Sequence, residues 1–167
     1  MDVQRRYWQE LVDLKRDAIY IDLYQARTEI IDRNIGGLNA ITSSASIGAW
    51  VIWKDLAFLW AAAIACSQVL QTLKEFLPYK KRLRSLNALS PELNGLCWSA
   101  ENDWFKVSRG LLTEAEIHDL HMKLKKKKQD ALQKAFPASS LPLVNPLIER
   151  AGKATQDYFQ SYFYTDA

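Results

Sequence analysis

The stretch that decides the fold is "NIGGLNAITSSASIGAWVIWKDLAFLWAAAIACSQVLQTLK", from Asn34 to Lys74. Before Lys74 its only charges are the neighbours Lys54 and Asp55. They divide it into two uncharged runs, 34–53 and 56–73. A helix rising about 1.5 Å per residue crosses a hydrocarbon layer about 30 Å thick in roughly 20 residues, and both runs reach that length. The first run is not greasy, because it carries Asn39, Thr42, Ser43, Ser44 and Ser46 with glycines at 36, 37 and 48. The second is alanine-rich and ends near Gln68 and Gln71.

The surroundings favour a bilayer. Trp50, Trp53 and Trp60 cluster where the two runs meet, as amphipathic rings do at a membrane interface. The second run is followed by "LKEFLPYKKRLR", with Lys74, Lys80, Lys81, Arg82 and Arg84. The bias of basic residues towards the cytoplasmic side sets that end inside and the tip outside. The expected fold is therefore an all-α membrane protein: a two-transmembrane helical hairpin with an N-terminal amphipathic helix and a cytoplasmic helical bundle. Its parts are an N-terminal helix (1–33), the hairpin (34–73) and a helical region (74–167). An even number of spans then leaves both termini on the cytoplasmic side. A soluble helical bundle is the competing reading.

Within the first run, Asn39, Ser43, Ser46 and Trp50 fall along one helical stripe that Asp32 continues. Gly36, Ala40, Ser44 and Gly48 recur every four residues, a spacing that lets helix backbones approach closely. In an oligomer the polar stripe can line a water-filled path, or it can simply hydrogen-bond to neighbouring helices. The pore-lining candidates are Asp32, Asn39, Ser43, Ser46 and Trp50.

The flanks read as helices too. Across 2–33, Tyr7, Leu11, Leu14, Ile21 and Tyr24 recur at near-helical spacing among seven acidic and six basic residues. Ser90 and Pro91 read as an N-cap and first helical position. Leu93, Leu96, Cys97, Ala100, Trp104 and Val107 then form an apolar face, and Gly110 stops it. "TEAE" at 113–116 is a capping box, with Thr113 as cap and Glu116 bonding back to it. That helix runs to about Phe136. Asn145 and Pro146 open a last helix ending in the aromatic run "YFQSYFY".

Chemistry is sparse. The chain has no glycine-rich phosphate loop, GxSxG or HExxH. His118 and His121 stand three apart near Glu114 and Glu116, but on so charged a helix they read as solvated. Cys66 and Cys97 read as buried thiols. Neither catalytic residues, nor a metal, nor a cofactor are expected, and the chain is not read as an enzyme. Net charge is +3 overall, but residues 74–136 hold thirteen Lys/Arg against eight Asp/Glu. The densest run is "KLKKKKQ" at 123–129. It reads as a solvated helix end, as an attraction for anionic lipid headgroups, or as a contact for a phosphorylated ligand. The ligand-binding candidates are Lys80, Lys81, Arg82, Arg84, Lys123, Lys125, Lys126, Lys127 and Lys128.

The order of these elements resembles the SLATT-type two-transmembrane effectors of bacterial antiphage conflict systems. The matching stretches are "QTLKEFLPYKKRLRSLNAL", "LLTEAEIHDLHMKLKKKKQDAL" and "ERAGKATQDYFQSYF". The resemblance implies a homo-oligomer, with a tetramer as the expected count, that permeabilises or depolarises the inner membrane in abortive infection. It also implies gating by a nucleotide or oligonucleotide signal from a partner nucleotidyltransferase, as in Hailong-type systems. The alternative is a membrane-anchored helical scaffold that recruits a cytoplasmic partner through its helices and aromatic tail.

Overall fold

A computed structural model describes residues 2–44, 58, 61, 62, 65, 66, 68, 69, 72, 79–137 and 141–163; within the helices, the side chains of 38–44, 79–81 and 162–163 are not included. Among the described residues there are four continuous α-helices and no strand: α1 (Asp2–Ser44), α2 (Tyr79–Ser108), α3 (Glu114–Ala135) and α4 (Asn145–Phe163). The chain divides into two compact units, one of residues 1–25 with 84–167 and one of residues 26–83.

In the first unit, each helix buries the apolar stripe that its sequence carries. The first part of α1 buries Tyr7, Leu11, Leu14, Ala18 and Ile21, spaced three or four apart. Asp2 steadies its first turn, receiving Arg5 at 3.1 Å and Arg6 at 2.8 Å. Along α2, Leu86, Leu89, Leu93, Cys97, Ala100 and Val107 are buried, with Leu96 and Trp104 packed against them. Pro91 lies inside α2, so the expected helix start at Ser90 is corrected: the helix begins at Tyr79. A proline there removes the backbone donor to the Asn87 carbonyl, and its ring crowds that same carbonyl. The Ser90 hydroxyl, rather than capping α2, donates to Asp22 of α1.

The ends of α2 and α3 follow the sequence signals. Gly110 has φ +66°, the left-handed conformation that a side chain resists. Its N–H donates to the Val107 carbonyl, and the Leu111 N–H donates to that of Lys106. Thr113 and Glu116 form both bonds of the capping box, at 3.3 Å and 2.8 Å. In α4, Leu147, Ala151, Thr155 and Phe159 are buried every fourth residue. Thr155 is tolerated there because its hydroxyl donates to the Ala151 carbonyl at 2.7 Å.

Tyrosines fix α1 against its neighbours. The Tyr7 hydroxyl donates to the Ala100 carbonyl at 3.2 Å. The Tyr20 hydroxyl donates to the Pro142 carbonyl at 2.6 Å and accepts the Val144 N–H at 3.1 Å, which sets where α4 begins. With Asp22 beside Ser90 and Trp8 beside Phe159, both α2 and α4 run antiparallel to the first part of α1.

In the second unit, α1 continues to Ser44, with Thr28 buried and Ile30 exposed. Phe58, Ala61, Ala62, Ala65, Cys66, Gln68, Val69 and Thr72 are helical and exposed. Cys66, expected to be buried, is therefore corrected to an exposed thiol.

The membrane reading of the fold is also corrected. The all-helical character holds, but among the described residues no helix is long and apolar enough to cross a membrane. Helix α1 has the length. However, its charges continue to Arg33, and the residues after it include Asn34, Gly36, Gly37, Asn39, Thr42, Ser43 and Ser44. Glycine, amide and hydroxyl positions gain little from hydrocarbon, so counting uncharged residues overstated the apolar run. The hairpin tip, with Trp50, Trp53, Lys54, Asp55 and Trp60, lies outside the described residues, as does Pro78.

Candidate interaction surface

Two kinds of side-chain assembly stand out in the first unit: a polar network between helices and an exposed aromatic row. The network starts at Glu10 of α1, whose side chain is only 13% exposed. Lys128 lies 3.6 Å from it, Lys125 3.9 Å and His121 Nε2 3.6 Å, all from α3. Lys128 also reaches Asp17, at 2.7 Å. A second branch joins Lys15, Glu101 and Tyr158. The Tyr158 hydroxyl donates to Glu101 at 2.9 Å, and the Lys15 ammonium sits 3.7 Å above the Tyr158 ring.

Burial and charge act together on these groups. Burial disfavours the Lys128 ammonium, but the bond to Asp17 and the charges of Asp17, Glu10 and Asp13 outweigh it and hold the group above its ordinary range. Burial pushes the Cys97 thiol up to about 11 and raises the Tyr7 phenol further. A thiol kept protonated in this way is a poor nucleophile. No group of three or more His, Cys, Asp or Glu among the described residues is arranged to hold a metal ion.

The sequence-selected residues scatter. Asp32 is half-buried on α1 in the second unit. Asn39 and Ser43 lie on α1 with side chains outside the described set, and Ser46 and Trp50 lie outside the described residues. Lys80 and Lys81 lie on α2, likewise without described side chains; Arg82 is half-buried and Arg84 exposed. On α3, Lys123, Lys125, Lys126 and Lys127 are exposed, whereas Lys128 turns inwards to Asp17 and Glu10. The lysine run is thus divided: Lys125 and Lys128 meet at Glu10, and Lys123, Lys126 and Lys127 face solvent.

Grooves flank α4. One, of about 790 Å³, runs between α1 and α4 over Trp8, Val12, Gly152 and Phe159, with Arg16 at one end. Arg16 is already paired with Asp13 at 2.9 Å. The other, of about 320 Å³, is apolar and lined by Tyr20, Ile21, Leu132, Leu141 and Leu143.

The feature that sequence reasoning missed is the outer face of α2. Trp98 is 69% exposed and Phe105 52% exposed, two turns apart on one side of the helix. The Arg109 guanidinium stacks 4.0 Å above the Phe105 ring. Pro91, Gly95 and Asn102 are exposed on the same side. The signal was present: Pro91, Gly95, Trp98, Asn102, Phe105 and Arg109 follow a 4-3-4-3-4 spacing, offset from the buried leucine row. Attention to the core face alone hid it.

Comparison with family models, with curated proteins and with solved structures returns no match. The functional reading therefore rests on this chain's own geometry.

Proposed function

We propose that this protein is a non-catalytic helical scaffold that recruits a partner through the outer face of α2. The carrying observation is the pair Trp98 and Phe105, exposed on a helix whose opposite face is fixed in the core, with Arg109 in the turn just past its end stacked on Phe105. Tryptophan and arginine are the residues most enriched where a few side chains supply most of an interface's binding energy. An exposed indole and phenyl ring on a rigid element lose little conformational freedom on docking. The scaffold reading also suits the interior network, whose carboxylates and ammonium groups already neutralise one another at the helix contacts. The pore expectation drew its polar stripe from the first of two membrane spans, an architecture corrected above.

The test places a photoreactive benzophenone side chain at Trp98 of the full chain in living cells, with the same group at the exposed Lys123 as control. A discrete cross-linked product at Trp98, absent at Lys123, is the expected result. Its mass identifies what is docked there. A chain that gives no product at Trp98, or the same products at both sites, is not a scaffold using this face.

A further inference from the structure

We infer that the partner on the outer face of α2 is a second copy of this chain, docked with the two α2 helices antiparallel. The inference rests on the docking reading and names its occupant. The row Pro91, Gly95, Trp98, Asn102, Phe105, Arg109 reads 4-3-4-3-4 in either direction. Turning one copy end for end about a two-fold axis level with residue 100 therefore places every row residue opposite another row residue. The mean spacing of 3.6 is the period of a straight α-helix, so the row keeps to one face of α2 along its whole length. From Pro91 to Arg109 the row extends about 27 Å at 1.5 Å per residue.

The chemistry of the opposed pairs matches. Phe105 of one copy faces Gly95 of the other, the row's exposed phenyl ring against the residue with no side chain. A Cβ at Gly95 would meet nothing within 4 Å, so the notch is open in the single chain. Trp98 faces Asn102, whose amide oxygen can accept the indole N–H as that group leaves water. Pro91 faces Arg109, bringing the guanidinium beside Glu92. Within the chain Glu92 has Lys134 at the long distance of 3.9 Å, and both side chains are substantially exposed. Each end of the pairing thus sets a carboxylate against a guanidinium, twice over by symmetry, as a two-fold interface requires.

Sedimentation equilibrium on the full chain tests this. The wild type is expected to associate in a concentration-dependent manner. Glu92→Arg sets like charges at both ends of the pairing and should weaken association about tenfold or more, and Arg109→Glu should do the same. Mixed in equal amounts, the two variants should recover the wild-type mass, because each supplies the charge the other lacks. Gly95→Leu removes the notch while replacing the residue least favoured in an exposed helix after proline by a better helix former. Its fold should hold or strengthen while its association falls.

A wild type that stays monomeric overturns the inference, as does an association that none of these substitutions changes, or variants that do not recover when mixed. These outcomes are separable from failure of the docking reading. A cross-link from Trp98 to a different protein, with a monomeric chain, removes the second copy and leaves the docking face standing. Absence of any cross-link together with a monomeric chain removes both.

Discussion

The ammonium of Lys128 on α3 lies 2.7 Å from the carboxylate of Asp17 on α1, with Glu10 at 3.6 Å on the other side. The Lys128 side chain is 17% exposed, unlike its exposed neighbours in the lysine run. Removing it leaves the 39% exposed Asp17 carboxylate to solvent and the 13% exposed Glu10 carboxylate to Lys125 and His121. Lys128→Met should therefore destabilise the protein by about 1–2 kcal/mol in urea unfolding, while Lys126→Met should stay within about 0.5 kcal/mol. The fold holds the Lys128 ammonium above its ordinary value of 10.5. Stability from such a group is whole below the unfolded value and is lost as pH rises through the folded one. Alkaline destabilisation above pH 10.5 should be correspondingly shallower in Lys128→Met.

The division of the lysine run shows how far the sequence could be read. Periodicity located the stripes that pack, since Leu11, Leu93 and Leu124 each sit in a row repeated every three or four residues. Local chemistry located the stop at Gly110 and the cap at Thr113, because each signal is complete within a few residues. Which lysine turns inwards depends on Glu10 and Asp17, more than a hundred residues away. No local pattern contains that information. The membrane reading failed for a related reason: run length, the tryptophan cluster and the flanking basic residues were weighed above the glycine, serine and asparagine that fill much of the first run. The outer row of α2 was legible as spacing but invisible to a search for a single apolar face.

Cys97 and Cys66 should separate cleanly in reactivity. Cys66 is exposed and Cys97 fully buried, so a disulfide reagent should label Cys66 at once and Cys97 only at the rate at which the domain opens. Burial raises the Cys97 thiol from 9.0 to about 11. Between those values the unfolded chain ionises and the folded chain does not, so stability falls as pH rises from 9 to 11, by about 2–3 kcal/mol. Cys97→Ala should flatten that decline while lowering stability at neutral pH by about 1 kcal/mol. The Tyr7 phenol contributes to the slope above pH 10 in both proteins and cancels in the comparison. An equally steep decline in the variant would show that another group carries it.

The Thr113–Glu116 cap should weaken at acid pH. Thr113→Ala removes the acceptor for the Glu116 N–H and should cost about 1 kcal/mol by urea titration. The backbone and hydroxyl bonds of Thr113 hold the Glu116 carboxyl below its ordinary value of 4.5. A depressed carboxyl contributes stability above its unfolded value and loses it as pH falls through the folded one. Glu116→Gln should therefore differ from wild type at neutral pH and converge with it once pH drops well below 4.5. Divergence that persists in acid would point to the amide disturbing the cap rather than to the lost charge.

Tyr158, Glu101 and Lys15 tie three helices together through one carboxylate. The phenol donates to Glu101 at 2.9 Å, Lys15 approaches the same oxygen at 4.0 Å, and the Lys15 ammonium also lies over the Tyr158 ring. Tyr158→Phe keeps the ring beneath the cation and removes only the donor to a charged acceptor. It should cost about 1.5–2 kcal/mol. Lys15→Met leaves Glu101 half-buried with the phenol alone and should cost more, about 3 kcal/mol. Because both substitutions act on one carboxylate, their effects should not add. With either partner gone, Glu101 is under-satisfied, and losing the second should cost more than it does in the wild type. A double-mutant cycle should therefore give a coupling of about 1 kcal/mol between positions 15 and 158. Strict additivity would mean that Glu101 turns to solvent once its partners leave, and that α1, α2 and α4 are held by their apolar stripes alone.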